Sequence, residues 1–191
     1  QSNRSMRIIA GKFKGKKIFY PEDKNTRPLR DMVKESIFNL IENSNKYDFQ
    51  IDKSNILDLF SGSGSFGLEC ISRGAKKVFF FENYTQTLKI LKKNILDLKL
   101  SDKCKVFEKS CFNFSDYKKI SNEKFNIIFI DPPYKEKKID FLIEKILNEE
   151  ILSKNGIVII HRHKKDDTII SSKFKTLDTR LYGISKIIIG H

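Results

Sequence analysis

The sequence predicts an α/β fold: a mostly parallel seven-stranded sheet with an antiparallel closing hairpin, preceded by a small basic hairpin. Three observations carry this. From residue 55 onward, short apolar segments alternate with amphipathic ones, the pattern of a parallel sheet covered by helices. The last two apolar segments are separated only by a Tyr182-Gly183 turn, so the chain closes on antiparallel strands. At the other end, residues 7–20 (RIIAGKFKGKKIFY) are basic and punctuated by glycine.

Each element follows in order. Residues 7–20 read as a hairpin. Residues 27–43 open on a proline and place Met32, Ile37, Phe38 and Ile41 at helical spacing. NILDLF at 55–60 is a short apolar strand, followed by Gly-Ser punctuation and a helix at about 65–73. KVFFFE at 77–82 is the next strand. Residues 85–100 form an amphipathic helix with Leu88, Leu91, Ile95 and Leu98 on one face. KVFE at 105–108 is a weak strand and FNIIFID at 125–131 a strong one. A helix over 139–152 precedes GIVIIH at 156–161, and strands at 173–181 and 184–189 complete the sheet.

The chain has 191 residues, 39% of them hydrophobic, enough for one sizeable core. Three cysteines (Cys70, Cys104, Cys111) form no disulfide framework, fit a reducing compartment and lack the spacing of a zinc site. No apolar run approaches the roughly 18 residues of a membrane span, and no signal peptide precedes Met6. The formal charge is +13, and 30 of the 37 basic residues are lysine. Ten basic and three acidic residues lie between Gln1 and Lys34, so more than half of the net charge sits in the first sixth of the chain. A solvated lysine surface explains a basic composition; clustering points further, to a polyanionic partner.

Two motifs carry chemistry. The strand at 55–60 runs into Asp58-Leu59-Phe60-Ser61-Gly62-Ser63-Gly64-Ser65-Phe66-Gly67, a glycine pattern between a strand and a helix. Such glycines allow a tight turn and close approach of backbone to ligand, and a side chain at Gly64 is expected to stand in the ligand's way. Glu82 ends the next strand, 20 residues after Gly62, where a carboxylate accepts hydrogen bonds from ribose hydroxyls. Asp58 would repel a pyrophosphate but suits a ligand bearing an ammonium group, such as the methionyl end of S-adenosylmethionine. The strand at 125–131 ends in Asp131-Pro132-Pro133-Tyr134. Two prolines fix the backbone and remove two N–H donors, which leaves carbonyl acceptors beside the Asp131 carboxylate. With Tyr134 as a stacking face, this set can grip a planar group carrying an NH2.

These motifs resemble the signature of the amino-group methyltransferases of Rossmann-like fold. Arg7-Ile8-Ile9, Gly11, Lys14-Gly15-Lys16-Lys17, Arg27-Pro28, Asp31, Val33, Glu35 and Phe38-Asn39, with Arg180, Tyr182-Gly183 and Ser185, narrow the match. They resemble the 16S ribosomal RNA (guanine-N(2))-methyltransferase family, RsmD type, over essentially everything from Met6 on. The resemblance implies an S-adenosylmethionine-dependent enzyme that methylates the exocyclic amine of a guanine in small-subunit ribosomal RNA, naked or in an assembling subunit. It places the cofactor at Asp58, Phe60, Gly62, Gly64, Gly67, Glu82, Asn83, Ser110 and Cys111, and catalysis at Asp131, Pro132, Pro133 and Tyr134. RNA contact falls to Arg7, Lys12, Lys14, Lys16, Lys17, Arg27 and Arg30. Residues 1–5 read as an expression scar ahead of Met6, 6–45 as the basic hairpin and helix, and 46–191 as the methyltransferase catalytic domain. The expected setting is a cytoplasmic monomer (organellar in a eukaryote) without metal or membrane.

Two positions depart from the family pattern. Ser110 stands where an acidic or amide residue often faces the adenine, so adenine recognition there would rest on backbone groups. His161-Arg162-His163 stands where the fifth strand often ends in glutamate, and both histidines read as surface or cap positions. Rival readings are a DNA amino-methyltransferase, which resembles longer chains, a release-factor glutamine methyltransferase, which usually has Asn before the prolines, and an RNA-binding module without activity.

Overall fold

The computed structural model describes residues 4–22 and 28–191; Arg27 lies outside the described residues. The chain begins with a two-stranded antiparallel sheet, β1 (Arg4–Arg7) and β2 (Lys17–Tyr20), with Arg4 opposite Tyr20. It continues through α1 (Asp31–Asn43), β3 (Asn55–Asp58), α2 (Ser65–Ser72), β4 (Lys77–Phe81), α3 (Thr85–Asp97) and β5 (Cys104–Phe107). Then come two short 3₁₀ turns, β6 (Phe125–Ile130), α4 (Ile139–Asn148), β7 (Leu152–His163), β8 (Thr176–Tyr182) and β9 (Ser185–Gly190).

The main sheet has seven strands in the order β5-β4-β3-β6-β7-β9-β8. Its first five strands are parallel, and β9 is antiparallel to both β7 and β8. Each strand alternates its buried side chains between two cores. Ile56, Val78, Phe80, Ile127, Phe129 and Ile157 face α1, α2 and α3. Leu57, Phe79, Phe81, Ile128, Ile130 and Val158 face α4 and the segment around Tyr117. Strand order reverses between β3 and β6, which opens a crevice at their carboxyl ends.

The seven strands of the sheet, and each of the helices, form where expected, with shifted ends. The first strand of the hairpin starts at Arg4, inside the stretch read as a scar, and residues 8–16 form a loop rather than strand. α1 starts at Asp31 because Arg30 is extended (ψ 144°). The fifth strand of the main sheet starts at Leu152, well before 156: Leu152 pairs with Phe125, and the register then shifts so that Ile157 pairs with Ile127. Among the described residues no helix is long and apolar enough to cross a membrane.

The hairpin loop is bonded to α2 along its length. Both oxygens of Glu69, a fully buried residue, accept from the loop: Oε1 from Ile9 N–H (2.8 Å) and Oε2 from Ala10 N–H (3.1 Å). One turn on, Lys12 N–H donates to the Ser72 carbonyl (2.8 Å) and Phe13 N–H to Ser72 Oγ (2.9 Å). Gly11 passes so close that a Cβ would lie 1.9 Å from the Ser72 carbonyl oxygen. Asn94 of α3, also fully buried, exchanges two hydrogen bonds with the Phe19 backbone and donates to the Ser63 carbonyl (2.8 Å).

Glu69 also pairs with Lys34 of α1 (3.2 Å), whose side chain is fully buried, and with Arg73 (3.0 Å). Glu69→Ala strands the Lys34 ammonium and two backbone donors in the core. A loss of about 3–5 kcal/mol in urea unfolding is expected. Adding Lys34→Met, which removes the orphaned charge, should recover a substantial part of it.

Candidate active site

β3 delivers Asp58 to the carboxyl edge of the sheet, and the glycine loop turns directly above it. Gly62 (φ +55°) and Gly64 (φ +88°) take left-handed conformations, and Gly64 caps α2. The three glycines do different work. A Cβ on Gly64 would meet Leu91 Cδ1 at 2.6 Å and one on Gly67 would meet Phe80 Cε1 at 2.4 Å, so both secure the packing of α2 on α3 and β4. A Cβ on Gly62 meets nothing within 4 Å and points into open space. A side chain at Gly64 thus meets the packing of α3 on α2, whereas one at Gly62 enters open space beside the loop.

Asp58 is fully buried, and neither carboxylate oxygen has a hydrogen-bond partner. Burial raises its pKa well above the usual carboxylate range, and the nearby charges of Asp131 and Glu82 push the same way. The N–H groups of Gly67 and Phe60 oppose the shift electrostatically without closing a hydrogen bond. Glu82 is fixed by backbone: Oε1 accepts from Gly62 N–H (3.2 Å), and Oε2 from Asn83 (3.0 Å) and Tyr84 (3.4 Å). Burial raises its pKa too, against those three bonds.

Beyond β5, Ser110 caps a 3₁₀ turn, its Oγ accepting from Phe112 N–H (3.2 Å). The Cys111 side chain lies in the core, where burial pushes its thiol up to about 12. The Cys111 side chain is thus turned away from the edge, while Ser110 keeps its hydroxyl hydrogen and the backbone its polar groups there. Phe112, which belongs to neither sequence motif, packs edge-on against Phe60 at 5.9 Å, and both rings stay partly exposed at this edge.

β6 carries Asp131 two residues beyond Phe129, the partner of Asp58 across the sheet. The Asp131 carboxylate is partly exposed and Tyr134 is half exposed. Tyr134 rests its ring edge-on against His163 (5.3 Å), with Lys137 Nζ 5.2 Å from its centre. Buried Arg162 organises the turn, donating to the carbonyls of Pro133 (3.3 Å), Tyr134 (3.3 Å) and Glu136 (2.9 Å) and pairing with Asp166 (3.0 Å). Among the described residues nothing donates to the Pro132 carbonyl. That carbonyl and Asp131 are the acceptors left for a ligand.

His161 does not occupy the surface or cap position expected of it. Its Nδ1 lies 2.8 Å from Asp131 Oδ1 and its Nε2 2.8 Å from Ser185 Oγ. His163 does act as a cap, accepting from Lys165 N–H (3.0 Å).

Lys12, Lys14, Lys16 and Lys17 are exposed, and among the described residues no acidic side chain pairs with them. Arg7, also exposed, turns onto the Gly15 carbonyl (2.7 Å). Arg30 is exposed at the head of α1. The loop runs from Ser65, whose Oγ touches Met6 Sδ (3.2 Å), to Ser72 at the other end of α2. Lys12 therefore lies about 12 Å, one eight-residue helix, from the glycine-loop edge, while Lys16 and Lys17 return beside Ile8 and Arg7.

A seven-stranded sheet of this order, with a glycine loop after its first parallel strand and Asp-Pro-Pro-Tyr after the fourth, defines a methyltransferase of Rossmann-like fold. A family model described as conserved hypothetical protein 95 matches residues 6–191. Ribosomal RNA small subunit methyltransferase D of Buchnera aphidicola (subspecies Acyrthosiphon pisum) is 33% identical over 170 residues, spanning 89% of this chain and 84% of the relative. The protein of the same name from Haemophilus influenzae is 33% identical over 181 residues, 94% of this chain and 90% of the relative. A solved Haemophilus influenzae structure described as a methylase is 30% identical, covers 98% of each chain and superposes with a TM-score of 0.75. The chain belongs to this family, that of the ribosomal RNA small subunit methyltransferases D, as its motifs led us to expect.

The division of labour among the glycines is measurable. Gly64→Ala and Gly67→Ala each force a neighbour aside, so each should lower stability by about 1–3 kcal/mol. Gly62→Ala meets only the left-handed backbone penalty, about 1–2 kcal/mol. In thermal unfolding, Gly64→Ala, which carries both costs, should be the least stable of the three.

Proposed function

We propose that this chain methylates the exocyclic amine of a guanine in small-subunit ribosomal RNA, with S-adenosylmethionine as methyl donor. The observation that carries the reading is the acceptor pair of Asp131 Oδ2 and the Pro132 carbonyl, next to the glycine loop, while His161 holds Asp131 Oδ1 and Arg162 occupies the carbonyls that follow. The relatives' name supplies the substrate class. A DNA or release-factor substrate has no such support.

The residues fit the cofactor. Unpartnered Asp58 is a counter-charge for an ammonium group, Gly62 leaves open space above the loop, and Glu82 has lone pairs beyond its three backbone bonds for ribose hydroxyls. Asn83, the backbone at 110–111 and the Phe60 ring complete the surroundings. When bound, S-adenosylmethionine supplies an activated methyl group. Asp131 and the Pro132 carbonyl accept the two N–H groups of the amine, Pro133 keeps the turn rigid, and Tyr134 stacks on the base. The guanine amine shares its lone pair with the ring, so acceptors that favour a tetrahedral nitrogen make it a better nucleophile. Both also stabilise the positive charge that grows there. A paired guanine must be extruded first. Residues 46–191 act as the catalytic unit, and 6–45 face the RNA, with Arg30 towards the target. A cytoplasmic monomer working without metal is the setting this reading implies.

Asp131→Ala removes an interaction that matters most as charge develops. Single-turnover methylation of small-subunit particles should slow by about 10²–10³-fold, the size seen when one preorganised group is lost. Calorimetry should find S-adenosylhomocysteine affinity nearly unchanged. Tyr134→Phe should stay active, while Tyr134→Ala weakens target binding by about 1–3 kcal/mol.

The lysines of the hairpin loop give a second test. Replacing Lys12, Lys14, Lys16 and Lys17 with glutamine should leave fold and cofactor affinity intact. The slope of log affinity for the particle against log salt should flatten by about 0.7–0.9 for each phosphate that is no longer neutralised. An unchanged slope would place the RNA on another surface.

A further inference from the structure

We infer that His161, locked by Ser185, is the positioning residue that sets the orientation of Asp131 in the site. The inference rests on the reading of Asp131 as the acceptor of the substrate amine. Three side chains from three strands stand in a row. Asp131 follows β6, His161 lies near the end of β7, and Ser185 opens β9. The two contacts, Asp131 Oδ1 to His161 Nδ1 and His161 Nε2 to Ser185 Oγ, are both 2.8 Å. Ser185 is buried and His161 largely so.

The chemistry of the partners assigns the protons. An ionised carboxylate only accepts, so Nδ1 carries the hydrogen towards Asp131. In the neutral ring Nε2 is then an acceptor, and the Ser185 hydroxyl donates to it. This fixes the tautomer and the plane of the ring, and the ring in turn holds Oδ1. Asp131 is left with Oδ2 for the substrate and cannot swing away from the crevice.

The same contact makes the site sensitive to pH. Burial lowers the pKa of His161, but the charge of Asp131 and its hydrogen bond outweigh burial and hold it above the ordinary value, against the opposing charge of Arg162. Beyond Asp131 stand Asp58, the last residue of β3, and Glu82 after β4, and Asp58 feels the charges of both Asp131 and Glu82. An imidazolium beside Asp131 opposes a cation forming on the substrate nitrogen. The neutral ring does not. Methylation should therefore rise with pH as His161 loses its proton, at a pH above the ordinary histidine value of about 6.5.

Nitrogen-15 NMR of the full-length protein tests the coupling without substrate. Expected are a protonated Nδ1 and a titration above the ordinary histidine range, shifting down in Asp131→Asn. An identical titration in Asp131→Asn would overturn the inference. Single-turnover methylation tests the use of the coupling. His161→Ala should lower the rate by roughly 10–100-fold, the loss typical of outer-shell partners of metal ligands, with KM for the particle little changed. His161→Gln, which keeps a donor but cannot ionise, should recover part of the rate and lack the rising pH limb. A rising limb unchanged in His161→Gln would overturn the inference as well. If the wild-type chain methylated no small-subunit RNA, the proposed reaction would fall, while the NMR result would still decide whether His161 and Asp131 are coupled.

Discussion

The arrangement rests on one buried carboxylate. Glu69 lies in the middle of α2, whose first turn is the glycine loop, and it makes four contacts in three directions. It holds the loop of the amino-terminal hairpin through two backbone N–H groups, α1 through Lys34, and the end of its own helix through Arg73. Each partner is a donor that would be costly to bury alone, and together they satisfy a charge that no solvent reaches. Removing any one leaves the others mismatched. The helix that shapes the ligand loop, the helix before the sheet and the basic hairpin are thereby made mutually dependent, and Ile8, Ile18, Val33 and Ile37 share one core with Phe66 and Leu68. The hairpin is thus fastened to the catalytic fold.

A second constraint acts at the sheet edge. Asp58, Glu82 and Asp131 end three strands that occupy neighbouring places in the order β4-β3-β6, and Asp58 feels both of the others. Three carboxylates at one edge repel, and burial intensifies the repulsion. The protein relieves two of them locally, giving Glu82 backbone donors and Asp131 the His161 ring. At Asp58 the N–H groups of Gly67 and Phe60 offset burial only in part, and no hydrogen bond closes. That sets it apart as the place where a cationic ligand would gain most, since pairing there removes a cost already present in the fold. Anionic dinucleotides would gain nothing.

The fold was legible because its signals are local: apolar strands, glycine after a strand, an amphipathic α3. The site was legible to the extent that it follows strand ends, as Asp58, Glu82 and Asp131 do. What escaped was tertiary. Asn94 reads as one more polar residue on a helix, and only its bonds to Phe19 and Ser63, 75 and 31 residues away, reveal its work. His161 lies 30 residues from Asp131 and 24 from Ser185, a relation no periodicity encodes. Gly62 and Gly64 were indistinguishable in sequence, because what a Cβ would meet depends on Leu91 of α3. The early start of β7 was hidden by an irregular pairing in which Asn155 adopts φ +62°.

The position of the basic cluster follows from the same tethering. The hairpin runs along α2, from Met6 beside Ser65 to Lys12 and Phe13 beside Ser72. Lys12 is carried away from the crevice and Lys16 and Lys17 return beside Ile8 and Arg7, while Arg30 stands at the head of α1. A side chain about 12 Å from the reacting edge cannot select a base there. It can hold the backbone of a strand or helix two or three nucleotides away, where charge matters and sequence does not. On the proposed reading, recognition of the target nucleotide would divide by distance: the hairpin lysines would set how the RNA lies across α2, and Asp131, Pro132 and Tyr134 at the carboxyl edge would act on the base that placement presents. Since Glu69 and Asn94 bind the hairpin to α2 and α3, the distance between the hairpin and the glycine loop is fixed by packed elements and not by a flexible linker.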